Sequence, residues 1–188
     1  MGGGSLETLD VAVDFDAGYS VVFTPVPQQL LAFEALREKC AARGRELAPD
    51  DIMLTAMVYV AETDAEAERE GQPYMERFFS WFHRVSPKFL TPPGYVTRSN
   101  FERLATTAAL ADAQESTWEQ MRAIGRIAIG SPDTVAQTVS AWAREARSSR
   151  IVLNMTHANM PEELTVKNLT LFANEVIPRI RARANATR

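Results

Sequence analysis

Three short apolar runs are separated by longer stretches in which apolar residues recur every three or four positions. The runs are Tyr19 to Phe23, Ile52 to Val60 and Arg150 to Met155. The second, Ile-Met-Leu-Thr-Ala-Met-Val-Tyr-Val, is nearly continuous rather than alternating, the pattern of a parallel strand covered on both faces. Between Gln28 and Arg43, Leu30, Phe33, Leu36 and Cys40 fall on one face at helical spacing. Thr63-Asp64-Ala65-Glu66 reads as a capping box that opens the next helix. Ser131-Pro132 supplies an N-cap and a first-turn proline for a helix over Asp133 to Arg147, and Pro161 does the same for a last helix reaching about Arg183. Strands alternating with helices predict βαβ units and a parallel sheet with right-handed crossovers. The expected arrangement is three neighbouring strands in sequential order, with helices on one side only.

One stretch breaks this rhythm. Residues 78–129 are too many for a βα connection and contain Pro87, Pro92, Pro93 and Gly94, so they read as an insertion within a single domain spanning 1–188. The insertion is expected to carry helices over Ser99 to Ala111 and Glu115 to Gly125. The 188 residues, 46% of them apolar, suffice for one core.

Charge and composition narrow the function classes. A net charge of −4 with both signs interspersed argues against a nucleic-acid or anionic-membrane surface. The arginines from Arg179 to Arg188 read as a solvated helix end favoured by its dipole. Cys40 is the only cysteine, which excludes an internal disulfide and a Cys-based metal site, and no metal-ligand cluster appears. No apolar run approaches the roughly 20 residues needed to span a bilayer, and no signal-peptide pattern opens the chain. A cytoplasmic protein is the expectation.

The first candidate for chemistry is Met1-Gly2-Gly3-Gly4-Ser5-Leu6-Glu7-Thr8. Glycines let a backbone approach an anion closely, the Ser5 hydroxyl donates, and the following helix start adds partial positive charge. Such loops usually hang from a strand end, and here the helix follows without the strand. Two readings stay open: an engineered linker, or an α/β domain entered partway.

Four stretches together resemble the bacterial luciferase-like, flavin-dependent monooxygenase family. They are Gly2 to Thr8; Val58-Tyr59-Val60-Ala61-Glu62-Thr63-Asp64-Ala65-Glu66-Ala67; Phe89-Leu90-Thr91-Pro92-Pro93-Gly94-Tyr95; and Gly130-Ser131-Pro132-Asp133-Thr134-Val135, followed by Asn159-Met160-Pro161-Glu162-Glu163-Leu164-Thr165. The resemblance implies the C-terminal half of a (β/α)8 barrel, from the end of its fifth strand to its final helix. It implies a cofactor, FMN in reduced form from a separate reductase, and oxygen transfer from O2 to a small organic substrate. It assigns the flavin phosphate to Gly2, Gly3, Gly4 and Ser5. A half-barrel leaves sheet edges and an apolar face to cover, so a homo-oligomer or a complementing half-barrel is expected, with little turnover by this chain alone.

His157 follows the third apolar run, where barrel strands deliver residues to an active site. It is the candidate catalytic acid or base, or else a loop histidine without chemistry. His83, among Phe78, Phe79, Trp81 and Phe82, reads as packing. Glu162 and Glu163 read as dipole partners at a helix start. The rival to an enzyme is a non-catalytic module that binds flavin phosphate or completes a barrel.

Overall fold

Strand β2 (Ile52–Val60) pairs in parallel with every other strand of the sheet: β1 (Tyr19–Ser20), β3 (Ile127–Gly130) and β4 (Arg150–Asn154). The structure, a computed structural model, describes residues 6–22, 24–84, 117–123, 125 and 127–186. Met53 pairs with both Ser20 and Arg150, and Met57 with both Ile127 and Asn154. One edge of β2 therefore belongs to β4, and β1 and β3 share the other.

The sheet thus has four described strands rather than three. Ile127–Gly130 is a strand inside the segment expected to be an insertion, and helix α3 (Asp64–Arg84) runs into that segment from the other side. Helix α4 (Trp118–Ala123) lies within the helix expected over Glu115 to Gly125, and the one expected over Ser99 to Ala111 lies outside the described residues. Strand β1 holds two residues where five were expected. Beyond it, the ladder is taken over by a side chain of helix α2 (Val26–Ala41). The Thr55 amide donates to Gln29 Oε1 at 2.9 Å, and Gln29 Nε2 donates to the Thr55 carbonyl at 2.7 Å.

Alternate residues of β2 enter different cores. Ile52 and Leu54 pack with helix α1 (Leu6–Asp14) and α2. Val58 and Val60 pack with helix α5 (Pro132–Ala146), the π-helical turn Phe172–Val176 and residues of its flanking helices, α6 (Glu162–Leu171) and α7 (Ile177–Ala186). These even-numbered residues define an outer, helix-covered face, where each fully buried Leu, Ile or Val contributes about 1.5–3 kcal/mol. On the opposite face, Met57 and Tyr59 pack with α3, α4, Ile127 and Ile129. Helices on one side only is therefore corrected: the apolar C-terminal end of β2 needs cover on its second face, and α3 supplies it. Gly71 makes that approach possible, since a Cβ there would lie 2.8 Å from Tyr59 Cγ.

The start of α5 follows its expected chemistry, whereas Pro161 occupies the N-cap position of α6 itself and supplies no side-chain cap. Ser131 Oγ accepts from the Thr134 amide at 3.4 Å, Pro132 fills the first turn of α5, and Arg147 ends it at φ 51°. The π turn ends two residues before Pro178, which has no N–H for the carbonyl four residues back, that of Asn174 within the turn.

Candidate active site

In parallel α/β sheets, ligands sit beyond the carboxyl ends of the strands. Here those ends are Val22 and Thr24 after β1, Ala61 and Glu62 after β2, Ser131 after β3, and Met155 to Met160 after β4. Two buried amides hold this rim. Where β4 has ended, Asn168 of α6 continues the ladder: its Oδ1 accepts from the Val60 amide at 2.9 Å, and its Nδ2 donates to Val58 O at 3.2 Å and Met155 O at 2.8 Å. Across the strand, Gln29 plays the same part at Thr55.

A chain of charges ties α3 to α6. Lys167 Nζ lies 2.8 Å from Glu62, 2.8 Å from Glu66 and 3.0 Å from Glu70. Burial pulls the Lys167 pKa down, but the three carboxylate hydrogen bonds together raise it, so it stays charged. Tyr59 Oη donates to Glu70 at 2.9 Å, and burial followed by this bond raises the phenol's pKa. Asp64 links α3 to α5 by accepting from the Ser131 amide at 2.6 Å, and that bond holds its carboxyl below the usual range. These groups are engaged with one another, and their part is to fix the rim.

The inner face below the rim is different. Val22 and Val152 are about half exposed, and with Met57 and Phe79 they line a small apolar cavity. Among the described residues no group of three His, Cys, Asp or Glu side chains is placed to hold a metal ion, and no helix is long and apolar enough to cross a membrane.

A half-barrel of parallel strands with an apolar inner face narrows the class, and comparison with known families decides it. The family model for luciferase-like monooxygenases matches residues 1–149. The chain belongs to the luciferase-like monooxygenase family. Among solved structures it is similar to the oxygenating constituent of 3,6-diketocamphane monooxygenase from Pseudomonas putida in complex with FMN, at 18% identity and TM-score 0.65, covering 95% of this chain and 47% of that one. It is also similar to EDTA monooxygenase from Chelativorans sp. BNC1, at 18% identity and TM-score 0.64, covering 97% and 43%. A coenzyme F420-dependent tetrahydromethanopterin reductase from Methanopyrus kandleri matches at 17% identity and TM-score 0.57, covering 96% and 50%. No curated protein sequence matches. The chain spans about half the length of these structures or less, so the likeness shows the fold, a partial barrel of the family.

The expected site residues do not all meet in the described structure. Gly2, Gly3, Gly4 and Ser5 lie outside the described residues, as do the side chains of Trp81, Phe82 and His83. His157 is fully buried. Its Nε2–H donates to Val58 O at 3.1 Å, the carbonyl that also accepts from Asn168, and its Nδ1 has no hydrogen-bond partner among the described residues. Burial lowers its pKa and outweighs the opposing hydrogen bond to the Val58 carbonyl, so the net effect favours the neutral ring. The imidazole thus ties the loop after β4 to β2, facing protein rather than the rim. Glu162 and Glu163 are exposed in the first turn of α6. Phe79 is buried and meets Phe78 edge to face at 5.7 Å between ring centroids. Gln29, Asn168 and Lys167 were not singled out from the sequence. Asn168 carries the clearest signal, a polar residue in the row Leu164, Phe172 and Val176 at four-residue steps.

Proposed function

We propose that this chain is the cofactor-phosphate half of a flavin-dependent monooxygenase, an oxidoreductase that uses reduced FMN from a separate reductase and O2 to oxygenate a small organic substrate. The observation that carries this reading is the family match, which covers residues 1–149, from the glycine loop through β1, β2 and β3 to the end of α5. The described residues suit a flavin in one respect: beside the strand ends they offer an apolar wall without a charged side chain, against which a planar ring packs while water is kept away. Gly2 to Ser5 would hold the phosphate, with backbone amides and the Ser5 hydroxyl as donors. The bound flavin supplies the redox chemistry. The protein's own residues position it: Asn168 and His157 fix the loop after β4, and Asp64 fixes the turn after β3.

Turnover requires the inner face to be closed by further strands, from a complementing half-barrel or a second copy of the chain. By itself the chain binds flavin weakly and oxygenates little. Titration of FMN against riboflavin by flavin fluorescence tests the phosphate assignment: FMN is expected to bind at least about tenfold more tightly, and Gly4→Val to erase the difference. Equal affinity for both ligands overturns the assignment. Light scattering tests the assembly, with a concentration-independent monomer mass contradicting it, and robust oxygenation by a monomer contradicts the need for closure.

A further inference from the structure

The loop after β4, residues 155–160, is held to the rim by side chains rather than by a ladder. Asn168 Nδ2 donates to Met155 O at 2.8 Å, and Asn159 Oδ1 accepts from Arg77 Nη1 of α3 at 2.9 Å. Between these ties the fully buried His157 ring donates from Nε2 to Val58 O at 3.1 Å. That carbonyl also accepts from Asn168 Nδ2 at 3.2 Å, so both of its lone pairs are taken. The next residue, Ala158, stands at φ 46°, a left-handed conformation that persists in alanine only where the surroundings impose it. Met160 then packs against the inner-face core. The second ring nitrogen, Nδ1, has no hydrogen-bond partner among the described residues.

We propose that His157 is a proton-operated latch: the neutral ring holds residues 155–160 against β2, and a proton taken from solvent onto Nδ1 releases them. In the neutral ring Nδ1 is a lone pair. Protonated, it becomes a charged N–H donor, buried without an acceptor among the described residues, and that state is costly. Moving the loop outward hydrates the ring and lets Ala158 relax. The neighbouring elements bring no countercharge that replaces the water. Strand β2 has no charged side chain, and its Tyr59 hydroxyl is given to Glu70. On α6, Lys167 is held by Glu62, Glu66 and Glu70, while Glu162 and Glu163 are exposed in the first turn. Asp133 of α5 and Glu175 of the π turn pair with Arg179 of α7, and Arg77 of α3 is itself a cation. Burial accordingly lowers the ring's pKa, so release falls below about pH 6.5. Release takes Asn159 from Arg77 and Met160 from the inner-face core, so the strand-end rim is fixed near neutral pH and loosens in acid. The latch belongs to the chain itself and stands whether or not a flavin binds.

The test is an acid titration by solution NMR on the 188-residue chain labelled with ¹³C at the methionine methyls. Met155 and Met160 report the loop on either side of the histidine, and Met53 reports the far end of β2, each assigned through its leucine variant. The His157 ring is followed through its own carbon-bound protons. Met155 and Met160 are expected to shift together in one transition below about pH 6.5, with the midpoint of the ring, while Met53 stays in place. His157→Gln, whose amide donates to Val58 O but takes up no proton, is expected to keep both loop resonances at their neutral positions throughout. His83→Gln, which replaces the chain's other histidine, is expected to leave the transition as it is. A loop that stays in place while the ring titrates, midpoints that do not coincide, or a ring that stays neutral until Met53 moves with unfolding overturns the proposal. So does a transition that survives in His157→Gln or disappears in His83→Gln. The wild-type arm is read on the unmodified chain, so the proposal remains open to refutation even if a variant fails to fold.

Discussion

The two faces of the sheet are built from the same strands and similar side chains, yet meet different surroundings. On the outer face Ile52, Leu54, Val58 and Val60 are all at 0% exposure, covered by helices contributed by this chain. On the inner face Met57 and Tyr59 are buried beneath α3, but Val22 remains 55% and Val152 49% exposed. The outer face and the α3-covered end of the inner face therefore carry folding energy, and around Val22 and Val152 the inner face carries surface that folding of these residues does not use. In a complete barrel that surface packs against the remaining strands or faces the ligand. Separation of stability from ligand function across a sheet only one residue thick is what the substitutions below probe.

Leu54→Ala on the outer face is expected to cost about 2–5 kcal/mol, from lost transfer energy plus a cavity under α1 and α2. Chemical denaturation reads it, and a cost below about 1 kcal/mol would remove the claim that this face holds the fold. Asn168→Leu comes next, at about 2–3 kcal/mol, because it strands the buried Val60 amide and the Met155 carbonyl. Gly71→Ala should destabilise by about 1–3 kcal/mol although alanine is the better helix former, since the new methyl meets the Tyr59 ring. A neutral result would mean that α3 is not seated on the inner face.

A pH titration of stability gives a smaller effect. Burial lowers the His157 pKa, so the unfolded chain takes up this proton near pH 6.5 while the folded chain resists it. The stabilisation is full above about pH 6.5 and is lost as pH falls from there through the folded value. Asp64, held low by the Ser131 amide, adds a separate loss only as pH falls below about 4. Urea denaturation between pH 5 and 7.5 should show the first slope, and His157→Gln should flatten it. An unchanged slope in that variant would assign the titration elsewhere. Smallest of all, Val152→Asp should change stability by less than about 0.5 kcal/mol, as expected of an exposed strand position.

The continuous run Ile52 to Val60 disclosed its strand, its two-sided burial and its central place before any coordinates, because apolar continuity has one common structural cause. Capping at Ser131 was equally legible, since the side chain and the proline act within four residues. Strand β3 was not: Ile127 to Gly130 is four residues long, and its pairing with Met57 to Val60 lies about seventy positions away in the chain. Gln29 was passed over for Leu30 on the face of α2, because an amide that replaces a missing strand looks like an ordinary surface residue until the ladder is seen. His157 was legible as a residue beyond a strand end, but its direction was not, since the turn at Ala158, φ 46°, and the bond to Val58 depend on the fold.

Hydrogen exchange by mass spectrometry, with FMN and with riboflavin at equal concentration, tests the central claim that ligand function belongs to the strand ends and the inner face. FMN, and riboflavin far less, is expected to slow exchange in peptides spanning residues 1–9 and 154–160 while leaving the outer helices α1, α2 and α5 beyond residue 9 unchanged. Protection confined to the outer helices, or no difference between FMN and riboflavin, would contradict it.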